Sequence, residues 1–268
     1  MKEPKRIIAG LCLCLFSVLP LTAYADETGF VPLFGGESLD GWASARSKGD
    51  GDYGPYSVNK DEKAIHVYAG REDGSKQETD FLYTDKDFSH YVLKLEYKWL
   101  DNRYAPRANY DRDAGLLFHI HGNLSKVWPL SLEMQIGESP ADKPQGKKEK
   151  GRFHTGDLFV LGRNLHTETP VGAGYYSPDA KRRKGRGVPT NRGLENPKGQ
   201  WNKMELRVHG SEKATFIFND EVVLETFRFT QQDEQGNTSP LEKGRIGLQA
   251  EWAEILYRNI RIKELPTE

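Results

Sequence analysis

Short alternating runs dominate the pattern of apolar and polar positions along this chain. From Tyr91 to Leu100 (YVLKLEYKWL), Tyr91, Leu93, Leu95, Tyr97 and Trp99 share one parity, and Lys94, Glu96 and Lys98 share the other. Side chains alternate across a strand, so this segment predicts a half-buried β-strand. Met204–Val208, Ala214–Phe218, Glu221–Leu224, Gly244–Ala250 and Ile255–Ile262 carry the same kind of signal. Between two of them, Phe218-Asn219-Asp220-Glu221 reads as a tight hairpin, because Asn and Asp tolerate positive φ. No amphipathic helix of more than about three turns is visible. Many short strands with Gly and Asn turns predict an all-β protein, a sandwich or jelly roll of antiparallel strands.

Two segments interrupt the alternation. Ser139–Arg152 is polar and turn-rich. Arg163–Gln200 is long, rich in Gly and Pro, and contains the basic run Lys181-Arg182-Arg183-Lys184-Gly185-Arg186. Loops of this length are often functional walls or lids. The basic run has no interleaved aromatic residues for base stacking and reads as solvated surface. Tyr175 and Tyr176, just before it, are candidates to line a sugar site.

The first residues predict an export signal. Lys2, Lys5 and Arg6 precede an apolar stretch from Ile7 to Leu21, and Ala23-Tyr24-Ala25 is a small-residue cleavage site before Asp26. The apolar run is short for a spanning helix of ~20 residues. Expected domains are therefore a signal peptide over 1–25 and a single domain over 26–268, exported to the periplasm or secreted, with no stable membrane span after cleavage. Both cysteines, Cys12 and Cys14, leave with the signal, so the mature protein forms no disulfide. Cleavage also takes Lys2, Lys5, Arg6 and Glu3 from the 38 basic and 39 acidic residues, leaving a net charge of −3. That charge makes no electrostatic case for nucleic acid or an anionic membrane.

Candidate chemistry concentrates between Asp113 and Gly162, which reads DAGLLFHIHG, then LSLEMQIGE, then TGDLFVLG. His119 and His121 stand at i and i+2, as do Glu133 and Gln135. If the two runs pair, imidazole and carboxylate groups are expected to converge on one face of a sheet. Gly137 permits a bulge that would return Glu138 to the Glu133 side. His119, His121, Glu133 and Glu138 are thus the candidate catalytic residues. Arg112, Asp113, Trp128, Gln135 and Asp157 are the candidate substrate contacts. His119, His121 and Glu133 are also the candidate ligands for a divalent metal ion, since H-x-H spacing suits metal sites as well as acid–base pairs. Trp42, Trp201 and Trp252 are further aromatic candidates, each read first as core. The mature chain has no cysteine nucleophile, and no G-x-S-x-G, phosphate-binding glycine loop or H-E-x-x-H appears.

Six segments in order, FVPLFGGESLDGW, RDAGLLFHIHG, KVWPLSLEMQIGE, TGDLFVLG, GQWNKMELRVHG and GRIGLQAEWAEILYRNIRIKEL, resemble the 3-keto-disaccharide hydrolase family of secreted bacterial proteins. The resemblance covers nearly all of the mature chain. It implies a concanavalin-like or laminarinase-like jelly roll with long loops over the concave face. It also implies a carbohydrate substrate, a glycoside whose glucose C3 hydroxyl has been oxidised to a ketone. Some members act as lyases and others as hydrolases. This chain departs from the common pattern in the insertion between Glu138 and Thr155-Gly156-Asp157, and in Leu158-Phe159-Val160, where related sequences are more aromatic. These departures bear on substrate range more than on reaction class.

Two other functions fit the same residues less well. Glu133-x-Gln135-x-x-Glu138 is similar to the E-x-D-x-x-E strand of laminarinase-type retaining glycosidases, but Gln cannot carry the charge of the central Asp. A non-catalytic sugar-binding module would need the aromatic residues but not the paired His and Glu.

Overall fold

The computed structural model describes residues 28–49, 51–142, 154–162, 164–169, 185–187 and 193–267. The expected signal peptide, most of the Ser139–Arg152 insertion, Tyr175, Tyr176 and most of the basic run lie outside these residues.

In chain order the strands are β1 (Val31–Pro32), β2 (Trp42–Ser44), β3 (Tyr56–Asn59), β4 (Ala64–Val67), β5 (Asp80–Thr84) and β6 (His90–Arg103). They continue with β7 (Asp113–His121), β8 (Leu130–Gly137), β9 (Leu158–Leu161), β10 (Leu165–Glu168), β11 (Gly185–Gly187) and β12 (Asn202–His209). The last are β13 (Lys213–Phe218), β14 (Glu221–Gln232), β15 (Thr238–Pro240), β16 (Arg245–Ala250) and β17 (Ala253–Glu264). A single short 3-10 turn, Pro140–Asp142, is the only helical element among the described residues.

The strands form two antiparallel sheets. One has ten strands in the order β10-β14-β13-β12-β6-β17-β4-β3, with β1 beside β17 and β15 beside β14. The other has seven, in the order β11-β9-β8-β7-β16-β5-β2. Each sheet combines hairpin pairs, such as β7–β8 and β12–β13, with strands distant in sequence, such as β7–β16 and β6–β17, a jelly-roll arrangement of the kind the alternating pattern predicted. Every alternation signal found in the sequence is a strand, and β14 runs on to Gln232, well past Leu224. Leu165–Glu168, read as part of a long loop, instead pairs with β14 at the edge of the larger sheet. Asn219 and Asp220 have φ of 47° and 69°, the two positive angles a tight hairpin demands.

The main core lies between the sheets. From the ten-stranded sheet it takes Tyr91, Leu93, Leu95, Tyr97, Trp99, Leu206, Phe216 and Phe218; from the seven-stranded sheet, Leu116, Phe118, Leu132, Met134, Ile136, Ile246 and Leu248. Trp42 also belongs to this core. The outer face of the seven-stranded sheet carries a second apolar cluster, Phe81, Leu117, Ile120, Phe159 and Leu161, onto which Leu124 of the β7–β8 connection packs. That connection is thus drawn over the outer face instead of projecting into solvent.

Phe118 contacts the rings of Phe216 and Phe229 across the core, at centroid distances of 5.9 and 6.0 Å. Phe118→Ala should lower unfolding free energy by about 3–5 kcal/mol, the range for a buried ring whose cavity cannot fully collapse. Val222→Ala, at a half-exposed position, should change it by less than about 0.5 kcal/mol. Urea denaturation of both variants measures the difference.

Candidate active site

Alternation through β7 and β8 decides which groups reach the outer face. Leu116 and Phe118 of β7, with Leu132, Met134 and Ile136 of β8, point into the core. Gly115 and Leu117 of β7, and Ser131, Glu133 and Gln135 of β8, therefore point outward. β7 and β8 pair in register, with Gly115 opposite Gln135 and Leu117 opposite Glu133. On the other side of β7, β16 buries Ile246, Leu248 and Ala250, so Gln249 turns outward beside Gly115. An alanine at Gly115 would place its methyl against both Glu133 Oε1 and Gln249 Oε1. A glycine here is what lets these two side chains lie over the strand.

One step toward the β7 N-terminus, Asp113 forms the next polar group. Its carboxylate accepts from Arg107 Nη1 at 2.7 Å and from Gln135 Nε2. Asp113 also bridges through its backbone to Glu251, whose carboxylate oxygen lies 3.8 Å from the same Arg107 Nη1. Burial pushes Asp113 above the usual carboxylate range, against the pull of Arg107 and Gln135. Glu251 Oε1 accepts the indole N–H of Trp128 at 2.8 Å. Trp128 is 48% exposed and borders a cavity of about 290 Å³ with Leu130, Val160, Leu161 and Gly162. Its ring is thereby held in place while much of its surface stays open, as a sugar-stacking platform requires.

Glu133, Gln135, Asp113 and Trp128 therefore belong to one side of the seven-stranded sheet, as expected. Arg107, Gln249 and Glu251 join them without having been recognised in the sequence. The signal for the last two was present: Arg245, Gly247, Gln249 and Glu251 are the outward parity of GRIGLQAEW, as Glu133 and Gln135 are of LEMQ.

Four expectations need correction. His119 does not share this face. It has φ of 52°, and the β7–β8 register shifts between Phe118 and His121. The extra residue hands the outward position to Ile120 and turns His119 into the core, against Phe118 and Phe229. There its Nε2–H donates to the Gly210 carbonyl at 2.9 Å. His121 lies at the far end of β7, where its Nδ1–H donates to the His119 carbonyl at 2.8 Å. It lines a separate cavity of about 520 Å³ with Ile120, Leu241, Lys243 and Arg245. The proposed metal trio of His119, His121 and Glu133 is thus dispersed. No group of three or more His, Cys, Asp or Glu among the described residues is arranged to hold a metal ion.

Glu138 is the third correction. β8 stays in regular pairing through Gly137, which faces Asp113, so no bulge intervenes and Glu138 falls on the inward parity. Arg112 and Arg103 grip its carboxylate, and the Arg112 backbone N–H donates to it at 3.0 Å. Glu133 and Glu138 are on opposite sides of the sheet and cannot act as an acid–base pair on one sugar. Arg112 is the fourth: it is buried, and its guanidinium is committed to Glu138 and the Asp101 carbonyl, so it is structural. Asp157 is fully buried on the outward parity, and its carboxylate accepts the His154 N–H at 3.1 Å, closing the turn that leads into β9. The remaining tryptophans sort by burial: Trp201 lies under the Arg258 guanidinium at 3.7 Å, and Trp252 packs against the core.

A family model described as a 3-keto-alpha-glucoside-1,2-lyase-like domain matches residues 29–263. No curated protein matches the chain. Among solved structures, a "Putative glycosyl hydrolase" from Parabacteroides distasonis ATCC 8503 is 17% identical, over 88% of this chain and 99% of its own, with a TM-score of 0.51. A second protein of the same description and organism is 18% identical, over 89% and 94%, with a TM-score of 0.54. At such identities the likeness is one of fold.

The inward histidine makes stability depend on pH. Burial lowers the His119 pKa from 6.5 to about 4. Below pH 6.5 the unfolded chain takes up a proton that the folded chain refuses until about pH 4. The unfolded state then binds more protons, so stability falls as pH falls through this window and is fully present above it. His119→Gln should lose about 2 kcal/mol less than the parent between pH 7 and pH 4.5, since one refused proton is worth about 1.4 kcal/mol per pH unit. Urea midpoints at the two pH values give the comparison.

Proposed function

This chain belongs to the 3-keto-alpha-glucoside-1,2-lyase-like family, and on that premise we propose that it cleaves 3-keto-glucosides on the outer face of the seven-stranded sheet. The observation that carries the reading is the convergence there of Glu133, the Asp113 and Glu251 carboxyls around Arg107, and the pinned, exposed Trp128.

A ketone at C3 acidifies the C2 proton. Glu133 removes that proton, and the C–H electrons pass into an enolate with its charge on the C3 oxygen. Arg107, beside Asp113, is a cation on this face that opposes the developing charge. When the C3 carbonyl re-forms, a C1–C2 double bond appears and the C1–O bond breaks. Asp113, whose carboxyl burial pushes above the usual carboxylate range, is the acid that gives a proton to the departing oxygen. Trp128 stacks on the C–H face of the sugar. The immediate product is an unsaturated 2-hydroxy-3-ketone, and addition of water to it would give net hydrolysis. Glu133 is the base in this reading because His119 is in the core and His121 at the far end of β7. The leader-like N-terminus supports action outside the cytoplasm.

Glu133→Gln should lower turnover of a 3-keto-glucoside by at least about 100-fold, the usual loss for an acid–base group, with the fold kept. NMR of the sugar product identifies the chemistry: the unsaturated ketone marks elimination, and free 3-keto-glucose marks hydrolysis. Cleavage of the unoxidised glucoside at a comparable rate would overturn the proposal.

A further inference from the structure

We propose that Gln249 is a positioning residue for Glu133, its side-chain amide holding the carboxyl group over Gly115 in the orientation from which it meets a bound sugar. This rests on the reading of Glu133 as the acid–base residue and extends it to a side chain on a neighbouring strand.

The geometry is specific. Glu133 on β8 and Gln249 on β16 flank β7 from opposite sides, and both reach across to the space above Gly115. Both are more than nine-tenths buried. Gln249 Oε1 has no hydrogen-bond partner, although a buried amide oxygen normally finds one. Its Oε1 and Glu133 Oε1 both crowd the one spot where a Cβ on Gly115 would lie. Two acceptor oxygens in that position repel each other unless a proton lies between them.

Relief takes two forms. When Glu133 is a carboxylate, the terminal amide turns over and donates N–H to it. When Glu133 is protonated, the O–H donates to the amide oxygen. An amide is a neutral side-chain group that serves both states by a half-turn about its last bond. That suits a residue that gains a proton from C2 and must then give it up. Asp113 on β7, Glu251 after β16, Asp157 before β9 and Arg107 are charged groups on the same outward side of the sheet. None of them can play both parts: Arg107 only donates, and the carboxyls raise the negative charge around Glu133. The strand that carries Gln249 is itself anchored, since the Tyr257 hydroxyl of the opposite sheet donates to the Gln249 backbone carbonyl at 3.1 Å.

The test uses Gln249→Leu and Gly115→Ala. The first removes the amide; the second drives a methyl between the two side chains and leaves both chemically intact. In substrate-free protein labelled with carbon-13 glutamate, the Glu133 carboxyl titration is followed by NMR, with Glu133→Gln to assign it. A hydrogen bond to a charged carboxylate is stronger than one from the neutral acid, so losing Gln249 should raise the Glu133 midpoint by about one pH unit. On a 3-keto-glucoside, kcat should fall by about tenfold or more with KM within about threefold, because misorientation harms the reacting geometry more than ground-state binding. The acid limb of the kcat profile should move up with the titration. Gly115→Ala should reproduce both effects, and it stands alone if Gln249→Leu does not fold. An unchanged Glu133 titration in the folded variants would overturn the proposal. A shifted titration in a protein that turns over no 3-keto-glucoside would instead sink the functional reading and leave the pairing standing.

Discussion

The inward packing of β7 and β8 is the constraint from which the site follows. Leu116, Phe118, Leu132, Met134 and Ile136 are buried against the ten-stranded sheet, and burying each such side chain is worth roughly 1.5–3 kcal/mol. A slip of one residue would expose all five, so register is held firmly. Once those residues face in, Glu133 and Gln135 must face out. The polar chemistry of this protein is displayed by default on the other side of an apolar decision.

That face is not simply polar. Phe81, Leu117, Phe159 and Leu161 pave it between the charged groups, and Leu124 covers part of it. Glu133 and Asp113 are therefore buried even though they lie outside the sandwich. Low exposure makes their charges costly and their partners decisive. It explains why the Asp113 carboxyl is pushed above the usual carboxylate range. On the opposite parity the same physics has a structural outcome: Glu138, drawn inward, is stable only because Arg103 and Arg112 close on it.

The β7 bulge is the local event that rearranges the most chemistry. His119 adopts a left-handed backbone conformation, and the strand spends one residue without advancing its register. The cause is visible in the packing. Gly244 comes so close to the His119 and Ile120 backbone that it has no room for a side chain. His119 fills a polar-capped slot between Phe118, Phe229 and the Gly210 carbonyl. A histidine that looks like half of a metal or catalytic pair is in fact part of the core.

Alternation, turn residues and the order of short strands were enough, from the sequence alone, to determine an antiparallel β-sandwich, the faces of β6 and β12, the hairpin at Asn219-Asp220 and the outward parity of Glu133 and Gln135. These are properties of neighbouring residues, and a period of two is legible without knowing what lies across the sheet. Only the tertiary structure decided that His119 leaves that parity, that Glu138 and Arg112 bind each other, and that Arg107, Gln249 and Glu251 complete the outer face. A bulge depends on how closely another strand approaches. An ion pair depends on which sheet end a side chain meets. A convergence over Gly115 requires two strands more than a hundred residues apart in sequence to flank the same glycine, and no local pattern carries that information.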